Sequence, residues 1–138
     1  MSVRKFAVAL ATNPLETFPE LWSSNVLVSE EKHVSRGYYW AIRVELDRYD
    51  YVNGSLSSTA PIDFYVMSED DYELFREKGS FYYTILSRKA VYSSSFEWRV
   101  PVKGTYYFIV SASYGDARVK LMIVKSLKPL TENFVWLH

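Results

Sequence analysis

The clearest hydrophobic pattern lies in residues 95–113, where two apolar runs are joined by the turn sequence Pro101-Val102-Lys103-Gly104. In the first run, apolar residues alternate with Glu97 and Arg99, which is the two-residue period of a strand with one solvated face. In the second run, Tyr106–Val110, both alternating faces are largely apolar, as expected of a strand inside a packed sheet. The pattern predicts the central hairpin of a β-sandwich.

The same two-residue period recurs along the chain, most regularly over Tyr38–Leu46. Besides the hairpin, strands are predicted at residues 3–10, 25–29, 38–46, 50–57, 62–67, 81–86 and 118–125. Turns or loops are predicted at Glu30-Glu31-Lys32, at Ser57–Pro61 and over the serine-rich stretch Arg88–Ser95. Gly54 inside a predicted strand indicates a bulge or a close backbone approach.

One segment changes to a helical period. Ser68 and Asp71 have the spacing of an N-terminal capping box, and Gly79 is at a position where glycine commonly ends a helix. Tyr72 and Phe75 are three residues apart, so one face of a helix over residues 69–78 is expected to pack on the sheet. With about eight strands, one short helix and no βαβ alternation, the fold class is predicted as all-β, a two-layer antiparallel β-sandwich forming one domain over residues 1–138.

Composition supports this class and excludes several functions. The 138 residues are 49% hydrophobic and 17% aromatic, which is enough to form a stable hydrophobic core without disulfide bonds or other cross-links. The chain has no cysteine, so disulfides, thiolate catalysis and cysteine-bound metals are excluded. Sixteen basic residues balance sixteen acidic ones, so no strong positive field is available for nucleic acid, and no nucleic-acid partner is predicted.

The two ends of the chain leave the compartment and the oligomeric state open. No apolar run reaches the roughly 18 residues of a membrane span, so none is predicted. The apolar run in residues 3–10 is shorter than a signal-peptide core and is interpreted as a strand, which leaves a cytoplasmic protein and a secreted domain trimmed of its leader both open. The tail, residues 128–138, contains the apolar stretch 134–137 and is predicted to pack on its own sheet or on a neighbouring chain, which would make a homo-oligomer.

The sequence contains few candidates for catalytic or metal-binding residues. His33 and His138 are the two histidines, and neither has the H-x-x-x-H spacing of a zinc site or the G-x-S-x-G context of a hydrolase. The acidic cluster Glu69-Asp70-Asp71 suits the first turn of a helix better than a calcium site. Glu45 and Glu97 fall on solvated faces, where charge is expected without a glycosidase role. No catalytic residue, metal or cofactor is predicted, and a hydrolase is a distant alternative.

The predicted binding residues are tyrosines on strand faces that should meet water: Tyr39, Tyr51, Tyr65, Tyr83 and Tyr107. Exposed aromatic side chains anchor protein interfaces or stack on sugars. We therefore predict a soluble, non-enzymatic module that binds a protein through this face. A carbohydrate-binding module, which requires a row of coplanar exposed aromatics, is the alternative, and cross-strand aromatic pairs without a binding role are the structural explanation.

Four segments together resemble a known class of module. They are Asp50-x-Val52-x-Gly54, Pro61-Ile62-Asp63-Phe64-Tyr65-Val66, Tyr72-x-x-Phe75 and Phe96-x-Trp98-x-Val100-Pro101-x-x-Gly104-x-Tyr106-Tyr107. Their order resembles GOLD-type and prepeptidase-C-terminal-type β-sandwich domains. The resemblance implies a jelly-roll or GOLD-like sandwich that contacts a protein or ligand without catalysis. Among the shared residues, Tyr106 is expected to anchor the hairpin through its hydroxyl, and Asp63 to cap a turn or pair with an arginine.

Overall fold

Seven strands and one helix make up residues 2–6 and 24–126, the part of the chain that the computed structural model describes. The strands are β1 (Ser2–Phe6), β2 (Ser24–Val34), β3 (Tyr39–Leu46), β4 (Tyr51–Ser68), β5 (Leu86–Arg99), β6 (Gly104–Ser111) and β7 (Ala117–Ser126), and the helix is α1 (Glu69–Lys78). The strand count is close to the predicted number, and the all-β class with one short helix is confirmed.

The longest strand, β4, passes from one layer of the sandwich to the other. Its first part, Tyr51–Ser58, pairs with β7, and its last part, Asp63–Ser68, pairs with β6. Strand β5 follows β4 antiparallel along both parts. We call the layer β1-β3-β6-β4 sheet I and the layer β2-β7-β4 sheet II, with β5 at the edge of each. All pairings are antiparallel except that of β1 with β3.

The main core fills the space between the two sheets. Its largest fully buried side chains come from β3, β4, β6 and β7, including Trp40, Ile42, Phe64, Phe108 and Ile123. The strict alternation that predicted β3 and β7 is the alternation of these inward side chains with outward ones. Burial of this apolar surface is the principal favourable contribution to folding.

Helix α1 covers the outer face of sheet I and forms a second, smaller core. Tyr72 is fully buried there and Phe75 is half-buried. The strand side chains beneath them are Ala41, Tyr65, Met67, Tyr107 and Ile109. The helix has the predicted bounds and caps: the Ser68 hydroxyl accepts a hydrogen bond from the Asp71 amide at 3.3 Å, and Gly79 adopts the left-handed conformation at φ 67°.

Three predicted turn regions are wrong, because polar segments lie on sheet strands instead. Glu30-Glu31-Lys32 is part of β2 and pairs with β7, Ser57–Pro61 lies within the continuous strand β4, and all of Arg88–Ser95 lies within β5. The strand predicted at residues 81–86 is also wrong, since strand structure begins only at Leu86. Serines and charges are tolerated in these strands because their outward faces are not covered by another described element.

Two local predictions in the strands are confirmed. The Tyr106 hydroxyl donates a hydrogen bond to the Val102 carbonyl at 2.6 Å, which anchors the connection between β5 and β6. The hairpin predicted for these two strands is wrong, because β5 pairs with β4 whereas β6 pairs with β3 and β4. At Gly54, a Cβ atom would lie 2.2 Å from Cζ of Phe96, so a close approach explains the glycine.

The remaining predictions about the ends of the chain lie outside the described residues. They are the last part of the first strand and the apolar tail 128–138. Within residues 2–6 and 24–126, no helix is long and apolar enough to cross a membrane.

Candidate binding surfaces

Three of the five predicted binding tyrosines lie beneath α1. Tyr65 and Tyr107 are only 6% and 3% exposed. The Tyr107 ring stacks on Tyr72 with centroids 3.9 Å apart, and the half-buried Tyr39 meets Phe75 edge-on at 5.1 Å. The expected exposure of Tyr65 and Tyr107 is therefore wrong. These tyrosines are buried because α1 packs on the outer face of sheet I, where their side chains lie. The helix and its packing on the sheet were predicted from the sequence, but the strand face that it covers was not.

Tyr65 also belongs to a polar network at the edge of the small core. Its hydroxyl accepts a hydrogen bond from Lys89 Nζ at 2.6 Å, and the ammonium lies 4.8 Å from the Tyr65 ring centroid. Burial raises the pKa of Tyr65, and the hydrogen bond to Tyr65 raises the pKa of Lys89. At neutral pH the pair is therefore a phenol and an ammonium, which is a structural contact and no activated nucleophile.

Asp63, in the same network, is buried and accepts hydrogen bonds, and none of its partners among the described residues is an arginine. Its Oδ1 atom accepts from the Ala90 amide at 2.9 Å and from the Tyr114 hydroxyl at 3.0 Å. Ala90 has φ 53°, a left-handed conformation at an irregular point of β5. Of the two predicted roles, capping of an irregular backbone segment fits this geometry, and pairing with an arginine does not.

The most exposed aromatic side chains lie on the segment that follows α1, residues 79–85, here called the aromatic loop. Phe81 is 88% exposed and Tyr83 is 74% exposed, whereas Tyr82 between them turns inward and meets Phe75 edge-on at 5.1 Å. Tyr83 is thus exposed as expected, although on a loop and not on a strand. Phe81 was not among the predicted binding residues, although a two-residue period places it on the same face as Tyr83.

The aromatic loop is held at several points. The Tyr83 amide donates to Asp71 Oδ1 at 3.0 Å, and the Ile85 amide donates to the Val66 carbonyl at 2.7 Å. Gly79 and Phe81 both have left-handed backbone conformations, with φ values of 67° and 66°. For a phenylalanine this conformation costs about 1–3 kcal/mol and persists only where the surroundings impose it.

The fifth predicted residue, Tyr51, is half-buried at one end of sheet II. The guanidinium carbon of Arg99 lies 5.5 Å from its ring centroid and 4.4 Å from that of Tyr49, which also contacts Arg48 at 4.5 Å. These distances are within the range of cation–π attraction. Tyr51 is thus one member of a mixed aromatic and basic cluster, separate from the aromatic loop.

The other residues considered for chemistry are not brought together. Glu45 lies on β3 in sheet I and pairs with Arg43 at 3.3 Å, whereas Glu97 lies on the part of β5 that belongs to sheet II. His33 is exposed on β2 opposite Arg118. Asp71, from the acidic cluster, accepts hydrogen bonds from the Ser68 hydroxyl and from the Tyr83 amide. Among the described residues, no group of three or more acidic or histidine side chains is placed to hold a metal ion.

Comparison with known proteins adds information at the level of the fold. No protein-family model matches the chain, and no curated protein sequence matches it. Among solved structures, it is similar to the periplasmic inhibitor of g-type lysozyme PliG from Aeromonas hydrophila, with TM-score 0.57, 12% identity, and 90% of this chain and 97% of that chain covered. A PliG mutant from Escherichia coli gives TM-score 0.51, 11% identity and coverages of 90% and 99%.

A second kind of domain has a similar fold. The pre-peptidase C-terminal domain of collagenase from Bacillus anthracis matches with TM-score 0.55, 8% identity, and 89% of this chain and 94% of that chain covered. The prepeptidase-C-terminal part of the resemblance is therefore confirmed as a likeness of fold, and the GOLD part stays a prediction. The chain has the β-sandwich fold shared by PliG and by the pre-peptidase C-terminal domain.

Proposed function

We propose that this chain is a non-catalytic module that binds a protein partner through its aromatic loop. The observation that carries the proposal is the exposure of Phe81 and Tyr83, 88% and 74%, on a loop whose backbone is fixed from both sides. Large aromatic side chains are the residues that most often dominate the binding energy of protein interfaces. In this proposal the tyrosines under α1 pack in the small core that supports the aromatic loop, and Phe81 and Tyr83 on the loop contact the partner.

The inward Tyr82 is what makes the loop a rigid support for its exposed neighbours. Its ring packs against Phe75 at 5.1 Å and against Tyr65 at 6.4 Å between centroids, so the loop is continuous with the small core under α1. A side chain that is already held in place loses less conformational entropy when it binds. Phe81 and Tyr83 therefore suit an apolar pocket on a folded partner.

The polar groups of the described residues support a role without catalysis. Asp63, Asp71 and Lys89 are each engaged in capping or bracing the backbone or a ring. The A. hydrophila PliG protein is described as an inhibitor of g-type lysozyme, which is a protein-binding role on a similar sandwich. At 12% identity this likeness concerns the fold, so the identity of a partner does not follow from it.

The carbohydrate-binding alternative, in the form of a row of coplanar aromatics, has less support. The exposed aromatic residues of residues 24–126 lie at separate places: Tyr38, Tyr49, Phe81, Tyr83, Tyr92 and Tyr114. They belong to different turns, loops and strands, and only Phe81 and Tyr83 are sequence neighbours on one loop. Homo-oligomerisation through the tail 128–138 remains a separate prediction.

Photo-crosslinking tests the proposal directly. A benzophenone amino acid at position 81 should form an adduct with one discrete protein in an extract of the source organism. Excess wild-type chain should compete for this adduct, and the variant Phe81→Ser/Tyr83→Ser should not. The matched control carries the same crosslinker at position 92, where Tyr92 is 59% exposed on β5, away from the aromatic loop.

The pattern of adducts decides the outcome. Equal adducts from positions 81 and 92, adducts with a second copy of the chain alone, or competition by the double variant would each contradict a specific contact at the aromatic loop.

A further inference from the structure

A shallow groove crosses the outer face of sheet II, on the side of the molecule opposite α1. It consists of two adjoining sections of about 520 and 490 Å³, which share Ser55 and Met122. The first section reaches β2 and the second reaches β5, so the groove crosses four strands. Each section is within the range of about 300–1,000 Å³ that is typical of small-molecule sites.

Strand register explains why the groove exists. Met122 on β7 is flanked by Ser29 on β2 and by Ser55 on β4, and Ser55 in turn pairs with Ser95 on β5. Side chains directly opposite each other on neighbouring strands share one face of the sheet. A row of short serines on either side of one long methionine therefore leaves open space, and Met122, 45% exposed, stands as an apolar ridge within it.

The groove contains hydrogen-bonding groups that the described residues do not use. The hydroxyls of Ser29, Ser55 and Ser95 make no hydrogen bond to another described residue. Asn53 lines the second section, and its amide nitrogen is buried without an acceptor among residues 24–126. A buried donor without an acceptor costs about 1–3 kcal/mol, and rotation of the Asn53 amide toward the groove would let a ligand supply the acceptor.

The charged residues that line the groove are mostly glutamates. Glu31 and Lys120 lie directly opposite on β2 and β7 at one end, and both line the first section. At the other end Glu97 lies two residues from Arg99 on the same side of β5. Glu30 also lines the first section, so three glutamates and one lysine line the groove, and this excess of negative charge disfavours an anionic ligand. Carboxylate oxygens accept hydrogen bonds from hydroxyl groups. The chemistry of the groove fits a neutral ligand with many hydroxyl groups.

We propose that this groove is a second binding site, which takes a neutral oligosaccharide. Serine hydroxyls both donate and accept hydrogen bonds, as sugar hydroxyls do, and the Asn53 amide adds a directed donor. Met122 and Val124 offer apolar contact to the CH faces of sugar rings. Four strands spaced by about 4.8 Å give a length of roughly 14 Å, which suits a short chain of sugars better than one ring.

A peptide strand fits this surface less well. The backbone groups at the centre of sheet II already pair within β7, β4 and β5. A ligand on the face of the sheet therefore meets side chains only, and an extended peptide would leave its own backbone groups without partners. The groove lies on the outer face of sheet II, whereas the aromatic loop follows the helix on sheet I, so the two sites are independent and can be occupied together.

The test is a titration of the full, ¹⁵N-labelled chain with chitohexaose and with cellohexaose, followed by NMR. Saturable shifts are expected for the Asn53 side-chain amide and for the backbone amides of Ser55 and Met122, with no shift at Phe81. Ser55→Leu fills the groove and Asn53→Asp replaces the donor with a carboxylate, and each should weaken binding by about tenfold or more, equivalent to about 1.4 kcal/mol. Ser87→Leu, on an exposed strand position outside the groove, should bind as the wild type does.

Several results would overturn the proposal. They are the absence of saturable shifts with both oligosaccharides at millimolar concentration, shifts that persist in a folded Ser55→Leu variant, and shifts produced only by a sulfated heparin hexasaccharide, which would make the ligand an anion. Failure of the crosslinking experiment at position 81 leaves this test unaffected, because Phe81→Ser/Tyr83→Ser should retain full binding of the oligosaccharide.

Discussion

Gly54 shows how one residue can determine the packing of two strands. It faces the core from β4 directly opposite Phe96 on β5, and the Phe96 ring occupies the space of a side chain at position 54. A Cβ atom there would lie 2.2 Å from Cζ of Phe96 and 2.5 Å from Cε2, both far inside van der Waals contact. The ring is itself held by Phe64 at 5.3 Å and Phe108 at 6.1 Å between centroids, so it has little room to move.

We expect Gly54→Ala to destabilise the protein by about 1–3 kcal/mol, because an added methyl group overpacks this part of the core. Equilibrium unfolding in urea measures the change. Gly115→Ala is the matched control, since nothing lies within 4 Å of the added Cβ and its φ is not positive, and it should change stability by less than about 0.5 kcal/mol. Equal effects of the two substitutions would contradict the close approach.

The pair Tyr65 and Lys89 makes stability depend on pH in the alkaline range. Burial raises the pKa of Tyr65 above its ordinary 10.0, and the hydrogen bond to Tyr65 raises the pKa of Lys89 above its ordinary 10.5. A group whose pKa is raised by folding contributes stability below its unfolded pKa and loses it as pH rises through the folded pKa. Stability from this pair is therefore present at neutral pH and falls above about pH 10.

Thermal unfolding followed across this alkaline range checks the effect. The wild-type Tm should fall more steeply with pH than the Tm of Tyr65→Phe, which keeps the ring and removes the titrating hydroxyl. Part of the slope should remain, because burial also raises the pKa of Tyr106. Tyr92→Phe, at an exposed tyrosine, is the control and should follow the wild type. A Tyr65→Phe slope equal to that of the wild type would exclude the pair as a source of the dependence.

At the scale of elements, sequence patterns predict those segments whose environment differs between their two sides. Strand β3 and helix α1 were predicted within one residue, because burial on one face gives β3 its period and caps define both ends of α1. Strands β2 and β5 were predicted poorly. They are outer strands of the described sheets, and stretches such as Glu30-Glu31-Lys32 and Ser93-Ser94-Ser95 owe their strand structure to backbone pairing with a neighbour, which leaves no trace in hydrophobicity.

The same distinction explains what could be predicted of the candidate sites. Aromatic residues were recognised as the source of a binding surface, but their exposure depends on where α1 packs, and that is a tertiary property. Phe81 and Tyr82 have the same hydrophobic character, yet one is 88% exposed and the other packs on Phe75. The groove on sheet II depends on register between four strands, which brings together serines that are far apart in sequence.

At the scale of the whole molecule, β4 joins the two sheets into one structural unit. The strand contributes Val52 and Leu56 to the core from sheet II, and Ile62 and Phe64 from sheet I, without an intervening loop. Strand β5 accompanies it through both layers. Separating the sheets would expose the core that the two layers share, so neither layer is expected to have a stable form of its own.

We accordingly expect both sheets to open in a single cooperative transition. Native-state hydrogen exchange in low concentrations of guanidinium measures this, with Phe108 as a reporter of sheet I and Leu121 as a reporter of sheet II, both in the main core. Their opening free energies should converge on the global value as denaturant increases, since each opening exposes the same core. The exposed Tyr83 amide, hydrogen-bonded to Asp71 on the aromatic loop, should exchange at a lower free energy and serves as the control for local opening. If Leu121 opened well below Phe108 at every concentration, sheet II would unfold by itself, and the continuity of β4 would not couple the two layers.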